Sequence, residues 1–149
     1  MIIKELSKQQ MLEVLGASRL GRLACSHEGQ PYVVPITFSL SGNYLYSFSM
    51  AGQKIDWMRA NPRVCVQVDA FGETREWKSV AVYGTFEDLP DRIGWKQERE
   101  RAWSLLSQHA NWWEPGSLKP IGRGGEDGSS HLFYRIVIEN LTGREAINE

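Results

Sequence analysis

Apolar positions along the chain recur with two periods, and the points where one period gives way to the other divide it into elements. Ser7-Lys8-Gln9-Gln10, ahead of Met11, Leu12, Val14 and Leu15, has the form of a capping box opening a short amphipathic helix that closes near Gly16. From Gly21 the period falls to two. Leu23 to Ser26 reads as a strand, His27 to Gln30 as a turn, and Tyr32, Val34, Ile36 and Phe38 as the apolar face of a second strand. Pro35 sits inside that strand and cannot donate to a ladder, so the strand is an edge or is locally opened there. Ser41-Gly42-Asn43 then turns the chain into an aromatic run, Tyr44, Leu45, Tyr46 and Phe48, which completes a three-strand meander.

A break at Gly52-Gln53-Lys54 introduces a short helix with Ile55 and Met58 on one face and Trp57 nearby. Asn61-Pro62 stops it, because the residue before a proline is pushed out of the α region. Val64, Val66 and Val68 alternate as the next strand, Ala70-Phe71-Gly72 turns out of it, and Trp77 to Glu87 supplies a long strand with Gly84 as a bulge or close-approach point. Pro90-Asp91, with Asp91 as N-cap, predicts a helix to about His109. Its charged middle, Lys96 to Arg101, faces solvent while Trp95, Ala102, Trp103, Leu105 and Leu106 pack inward. Ala110 to Ser130 is a long Gly- and Pro-rich connection, and Leu132 to Glu139 is the sixth strand. The reading is a mainly β chain with flanking helices, of the α+β class, in a single domain spanning residues 1–149.

Charge and composition narrow what such a domain does. A formal net charge of −1 argues against duplex nucleic acid as a partner, because phosphate-backbone binding needs an excess of Lys and Arg. The N-terminus lacks a signal-peptide apolar core, and no apolar run approaches the roughly eighteen residues of a membrane span, so a soluble cytoplasmic protein is expected. Cys25 and Cys65 lie inside apolar alternating runs, which suits buried free thiols. The glycines from Gly122 to Gly128 lack the Gly-Lys-Ser/Thr ending of a P-loop and lead into a strand. There is no G-x-S-x-G, CxxC or HExxH motif, and His27, His109 and His131 are scattered, so neither a nucleophile elbow nor a metal centre is predicted. One local feature does suggest a ligand. The strand from Tyr44, the small-residue break and the helix start at Lys54 together leave backbone N–H groups where a phosphate can be held. If the protein is an enzyme, its hard chemistry then belongs to a bound cofactor.

Taken in order, Gly21-Arg-Leu-Ala24, Tyr32-Val-Val-Pro35, Leu45-Tyr46 through Gly52-Gln-Lys54, Asn61-Pro-Arg-Val64, Trp77-Lys-Ser-Val80 and Thr142-Gly-Arg144 resemble the FMN-binding split-barrel proteins related to pyridoxamine 5′-phosphate oxidase, in particular the nitroimidazole-resistance-like branch. The resemblance implies a six-stranded antiparallel split β-barrel and a homodimer with FMN at its interface. It puts Gln53, Lys54 and Ser49 at the phosphate, and Pro35, Ile36 and Thr37 along the isoalloxazine edge. Ser47 and Phe48 would line the ring, Lys78 and Ser79 would touch it from another strand, and Trp113 would cover it. Many relatives carry Arg where Gln53 stands and several carry His where Phe48 stands; the arginine pattern with which true pyridoxamine phosphate oxidases hold their substrate is not evident. The implied activity is an FMN-dependent oxidoreductase that passes electrons or hydride from a donor to a small acceptor, nitroaromatic compounds included. Two alternatives stay open: a non-catalytic module for flavin or haem, and a structural dimerisation domain.

Overall fold

The computed structural model describes residues 1–108 and 131–148, which form seven strands and three helices. The strands are β1 (Ile2–Glu5), β2 (Leu20–His27), β3 (Gln30–Ser41), β4 (Tyr44–Met50), β5 (Arg63–Phe71), β6 (Trp77–Leu89) and β7 (His131–Ile147). The helices are α1 (Lys8–Ala17), α2 (Gln53–Ala60) and α3 (Lys96–Leu106). The Ala110–Ser130 connection, and Trp113 with it, lies outside the described residues.

The β2–β3 hairpin closes on Glu28 and Gly29, with φ of 50° and 80°. Two consecutive positive φ values make the turn whose twist matches that of the strands it joins. From there the ladder runs β2–β3–β4–β7–β6–β5 and returns to β2 through Arg22–Ala24 against Cys65–Gln67, every pairing antiparallel. Six strands therefore close a ring, the split-barrel arrangement that the resemblance implies. Strand β1 adds to β7 beyond the point where β4 stops, pairing Ile2–Glu5 with Arg144–Ile147. No alternation announces β1, because all four of its residues are exposed.

Inward-facing residues of the ring make the main core, among them Leu23, Ile36, Phe38, Leu45, Val66, Val80, Val82 and Ile136, and α1 adds Met11, Val14 and Leu15. The expected capping box holds α1 in place: Gln10 N–H donates to Ser7 Oγ at 3.1 Å and Ser7 N–H donates to Gln10 Oε1 at 2.8 Å. A second cluster lies on the other side of β4, where Tyr46, Phe48 and Phe133 pack beneath Ala102 and Leu106 of α3. Gly84 marks the expected bulge, with a register shift between Tyr83 and Gly84. A Cβ there would stand 2.2 Å from the Val137 carbonyl oxygen, so only glycine lets β6 and β7 approach.

Two expectations are corrected. Asp91 is not a helix N-cap: Gly94 turns the chain at φ 98°, and α3 begins only after Trp95, which provides no side-chain cap. The last strand does not end at Glu139, because β6 and then β1 continue to pair with β7 out to Ala146 and Ile147.

Candidate functional site

The ring is split beside β3. β4 pairs with β3 only through Tyr44–Ser47, yet it pairs with β7 through Tyr44–Met50, so past Ser47 the two strands diverge. Residues 30–37 of β3 are thereby left with β2 as their one strand partner among the described residues. The direction of the N–H groups follows from one hydrogen bond. Phe38 N–H donates to Arg19 O at 2.8 Å, on the β2 side, so by the alternation of an antiparallel ladder the N–H positions of residues 31, 33, 35 and 37 point into the split. Pro31 and Pro35 occupy two of those positions. Neither removes a ladder bond, and both keep the edge from recruiting a foreign strand. Of the two readings of Pro35, an edge and a locally opened strand, the structure shows the edge.

Beyond the split runs β4, and α2 follows it from Gln53, packing on β2. Ser47 and Ser49 point to the same side as Leu45 and are fully buried; Ser47 Oγ donates to Thr37 O at 2.6 Å and Ser49 Oγ donates to Met50 O at 2.7 Å. Helix α2 is fixed in three ways. Arg59 in its last turn makes two 3.1 Å hydrogen bonds to Asp88, Asn61 donates to Ser26 O and Oγ at 3.1 Å, and Trp57 packs edge-on against Tyr32. The Asp88 hydrogen bond in turn raises the Arg59 pKa, against a smaller opposing effect of burial. At the other end of α2, Gln53 is exposed while Lys54, only 6% exposed, turns inward. Burial pushes the Cys25 thiol up from its ordinary pKa, and the Lys54 charge pulls it part of the way back, which places the ammonium near the β2 wall. Nothing in the spacing of Cys25 and Lys54 gives that proximity away in advance.

The structure brings Thr37 against Ser47, with Pro35 on the same open edge and Ser49 two residues further along β4, while Gln53 and Lys54 begin the helix that follows β4 and Ile36 is buried in the core. Phe48 is placed elsewhere: it points to the opposite face of β4 and packs edge-on against Phe133 at 5.1 Å beneath α3. Lys78 and Ser79 also stand apart, on β6. β6 is the third strand from β3 in either direction around the ring, opposite it. The two residues face opposite sides of their own strand.

A flavin mononucleotide presents a phosphate, pyrimidine carbonyl oxygens and one ring N–H. The chain offers matching chemistry in the Lys54 ammonium at a helix start, the N–H positions of Val33 and Thr37 on the β3 edge, and serine oxygens able to accept because their protons are donated to Thr37 O and Met50 O. The donor set fits the group.

These features define a split-barrel protein with an open, proline-marked strand edge, and the comparisons place it among known chains. The sequence profile of the pyridoxamine 5′-phosphate oxidase family matches residues 7–145, and the chain belongs to that family. An uncharacterised protein of Rhizobium meliloti is 48% identical over 146 residues, covering 98% of this chain and 97% of the other. A crystal structure described as a FAD-binding protein of Mesorhizobium loti is 53% identical and superposes with a TM-score of 0.83, over 99% of this chain and all of the other (100%). A protein of Bacteroides thetaiotaomicron with a proposed role in 5-nitroimidazole antibiotic resistance is 19% identical, with a TM-score of 0.72 over 97% of this chain and 89% of the other, and shares the fold.

Proposed function

We propose that the chain is a flavin-binding oxidoreductase that acts as a homodimer, holding the FMN moiety, as FMN itself or as that half of FAD, in the split beside β3. The observation that supports this reading is the open β3 edge at Pro35–Thr37, joined to β4 by the Ser47–Thr37 hydrogen bond, with α2 opening at Gln53 and Lys54 just after β4 ends. The FAD-binding description of the Mesorhizobium loti relative supports it. Lys54 and the α2 start would hold the phosphate, and the β3 edge and the two serine oxygens would orient the ring by its polar rim. When bound, a flavin supplies the capacity to take electrons or hydride from a reduced donor and pass them to a small acceptor. Lys78 and Ser79, on the strand opposite β3 in the ring, would reach the flavin from a second copy, as the family resemblance implies.

Purified protein should show a flavin spectrum, alone or after adding FMN or FAD, and chromatography of the denatured protein identifies which of the two it carries. Lys54→Ala should weaken flavin binding about tenfold or more, the effect of losing one charge-assisted phosphate contact, whereas Lys96→Ala on the solvent face of α3 should not. A protein that takes up neither flavin rejects the reading. Anaerobic reduction of the bound flavin by NADH or NADPH separates turnover from carriage.

A further inference from the structure

A cleft lies beside α3, on the far side of β4 from Ser47 and Ser49. Phe48 and its β7 partner Phe133 leave that side of the sheet and pack beneath the helix. Lys96, Arg99 and Trp103, spaced three and four apart, set one stripe of α3 along the cleft, and the turn before the helix adds Asp91, Arg92 and Ile93. The cavity measures about 390 Å³, within the roughly 300–1,000 Å³ of small-molecule sites. None of its lining residues is among those that the resemblance assigns to the flavin.

Its charges are arranged in a way that defines a ligand. The charged middle of α3 is expected to face solvent, yet Arg99 is only 9% exposed. Arg99 Nη1 donates to Leu89 O at 2.8 Å, and its guanidinium carbon lies 5.3 Å from the centre of the Phe133 ring. Arg99 Nε is 3.9 Å from Asp91 Oδ1, which keeps that carboxylate at the cleft, while the Asp91 side chain stays 82% exposed and retains lone pairs for a second cation. Arg92 and Lys96 make no ion pair or side-chain hydrogen bond with any described residue. Arg92, Lys96 and Arg99 thus face Asp91 and Glu100 around one cavity, a mixed balance that suits a zwitterion better than a dianion. Trp103 and Phe133, edge-on at 6.4 Å, give the same cavity an aromatic corner for an apolar body, and Ile93 adds a fully exposed aliphatic side chain beside it.

We propose that this cleft binds an α-amino acid with an aromatic or large aliphatic side chain, its ammonium at Asp91, its carboxylate at Arg92 and Lys96, and its side chain against Trp103, Phe133 and Ile93. The site uses no residue of the flavin site and would exist in a protein that carried no flavin.

Calorimetric titration of the purified full-length chain with L-phenylalanine and L-tryptophan tests it. The counter-probes are 3-phenylpropionate and phenethylamine, which each lack one of the two charges, and glycine, which lacks the side chain. Saturable binding of the two amino acids is expected, with every counter-probe weaker by about tenfold or more. Asp91→Asn should weaken the amino acids about fivefold without weakening 3-phenylpropionate, and Lys96→Gln should weaken them about threefold without weakening phenethylamine. Both substituted side chains are exposed, and unchanged melting temperatures confirm that the variants fold. Equal affinity in flavin-loaded and flavin-free protein is expected. No saturable binding of either amino acid up to about 10 mM, a singly charged probe or glycine binding as tightly as phenylalanine, binding unaffected by both substitutions, or binding that requires flavin would each overturn the proposal.

Discussion

Cys25 and Cys65 show how one residue type takes different positions in a closed barrel. They belong to neighbouring strands, but Cys65 is paired with Ala24, so the two thiols leave opposite faces and cannot meet. Burial raises both pKa values above the ordinary 9.0, with Lys54 partly offsetting the effect at Cys25. A thiol whose folded pKa is raised favours the folded state while it is neutral. That contribution is complete below the unfolded-state pKa and is lost as pH rises through the folded value. Stability measured by urea unfolding should therefore fall above about pH 9, more steeply in the wild type than in a Cys25→Ala, Cys65→Ala double variant. Gly84 gives a second test at this scale. Adding a methyl 2.2 Å from a backbone carbonyl oxygen and 2.8 Å from Ile136 Cγ2 forces the β6–β7 ladder apart. Gly84→Ala should cost about 3 kcal/mol in denaturant unfolding, at the upper end of overpacking effects.

At the scale of elements, α3 is the piece held by side chains more than by its own sequence. It has no side-chain cap, and Arg135 of β7 fastens it: Nη1 donates to Glu98 of α3 at 2.7 Å, Nε donates to Glu87 of β6 at 2.8 Å, and the guanidinium lies 4.1 Å from the centre of the Tyr44 ring. Burial opposes the charge on Arg135, but the Glu87 and Tyr46 hydrogen bonds outweigh it, so its pKa lies above the ordinary arginine value. Both carboxylates are about one-third exposed, so the loss on Arg135→Ala should be about 2 kcal/mol, below that of a fully buried pair. Hydrogen exchange should quicken in α3 and leave β2 and β5 unchanged. Sequence alone carries no sign of this clamp, since Arg135 is 37 residues from Glu98 and 48 from Glu87. What was legible is local: the capping box of α1, the stop at Asn61-Pro62 and the glycine bulge are each fixed by a few adjacent residues. The split itself was half legible. Pro35 announced an edge, but which strand departed from it depends on β4 choosing β7, a pairing across more than eighty residues.

For the whole molecule, the outward face of the barrel carries the last prediction. Val33, Ala24, Cys65 and Tyr83 form one rung across β3, β2, β5 and β6, with Val33 60% and Tyr83 47% exposed, and Leu20 nearby on β2 is 50% exposed. An apolar row crossing four strands is costly to leave in water, and a second copy of this chain is the occupant that would also bring Ser79 and Lys78 to the split of its neighbour. In a two-fold dimer each substitution appears twice. Val33→Asp should therefore weaken association by about 3 kcal/mol or more, roughly a hundredfold in the dissociation constant, by losing two buried valines and introducing two charges. Sedimentation velocity should show the variant shifted to monomer together with a loss of bound flavin, while Ile93→Asp, on the fully exposed turn before α3, leaves both unchanged. A wild-type protein that is monomeric at all concentrations and still binds flavin would mean that one chain completes the site, and that Lys78 and Ser79 have no part in it.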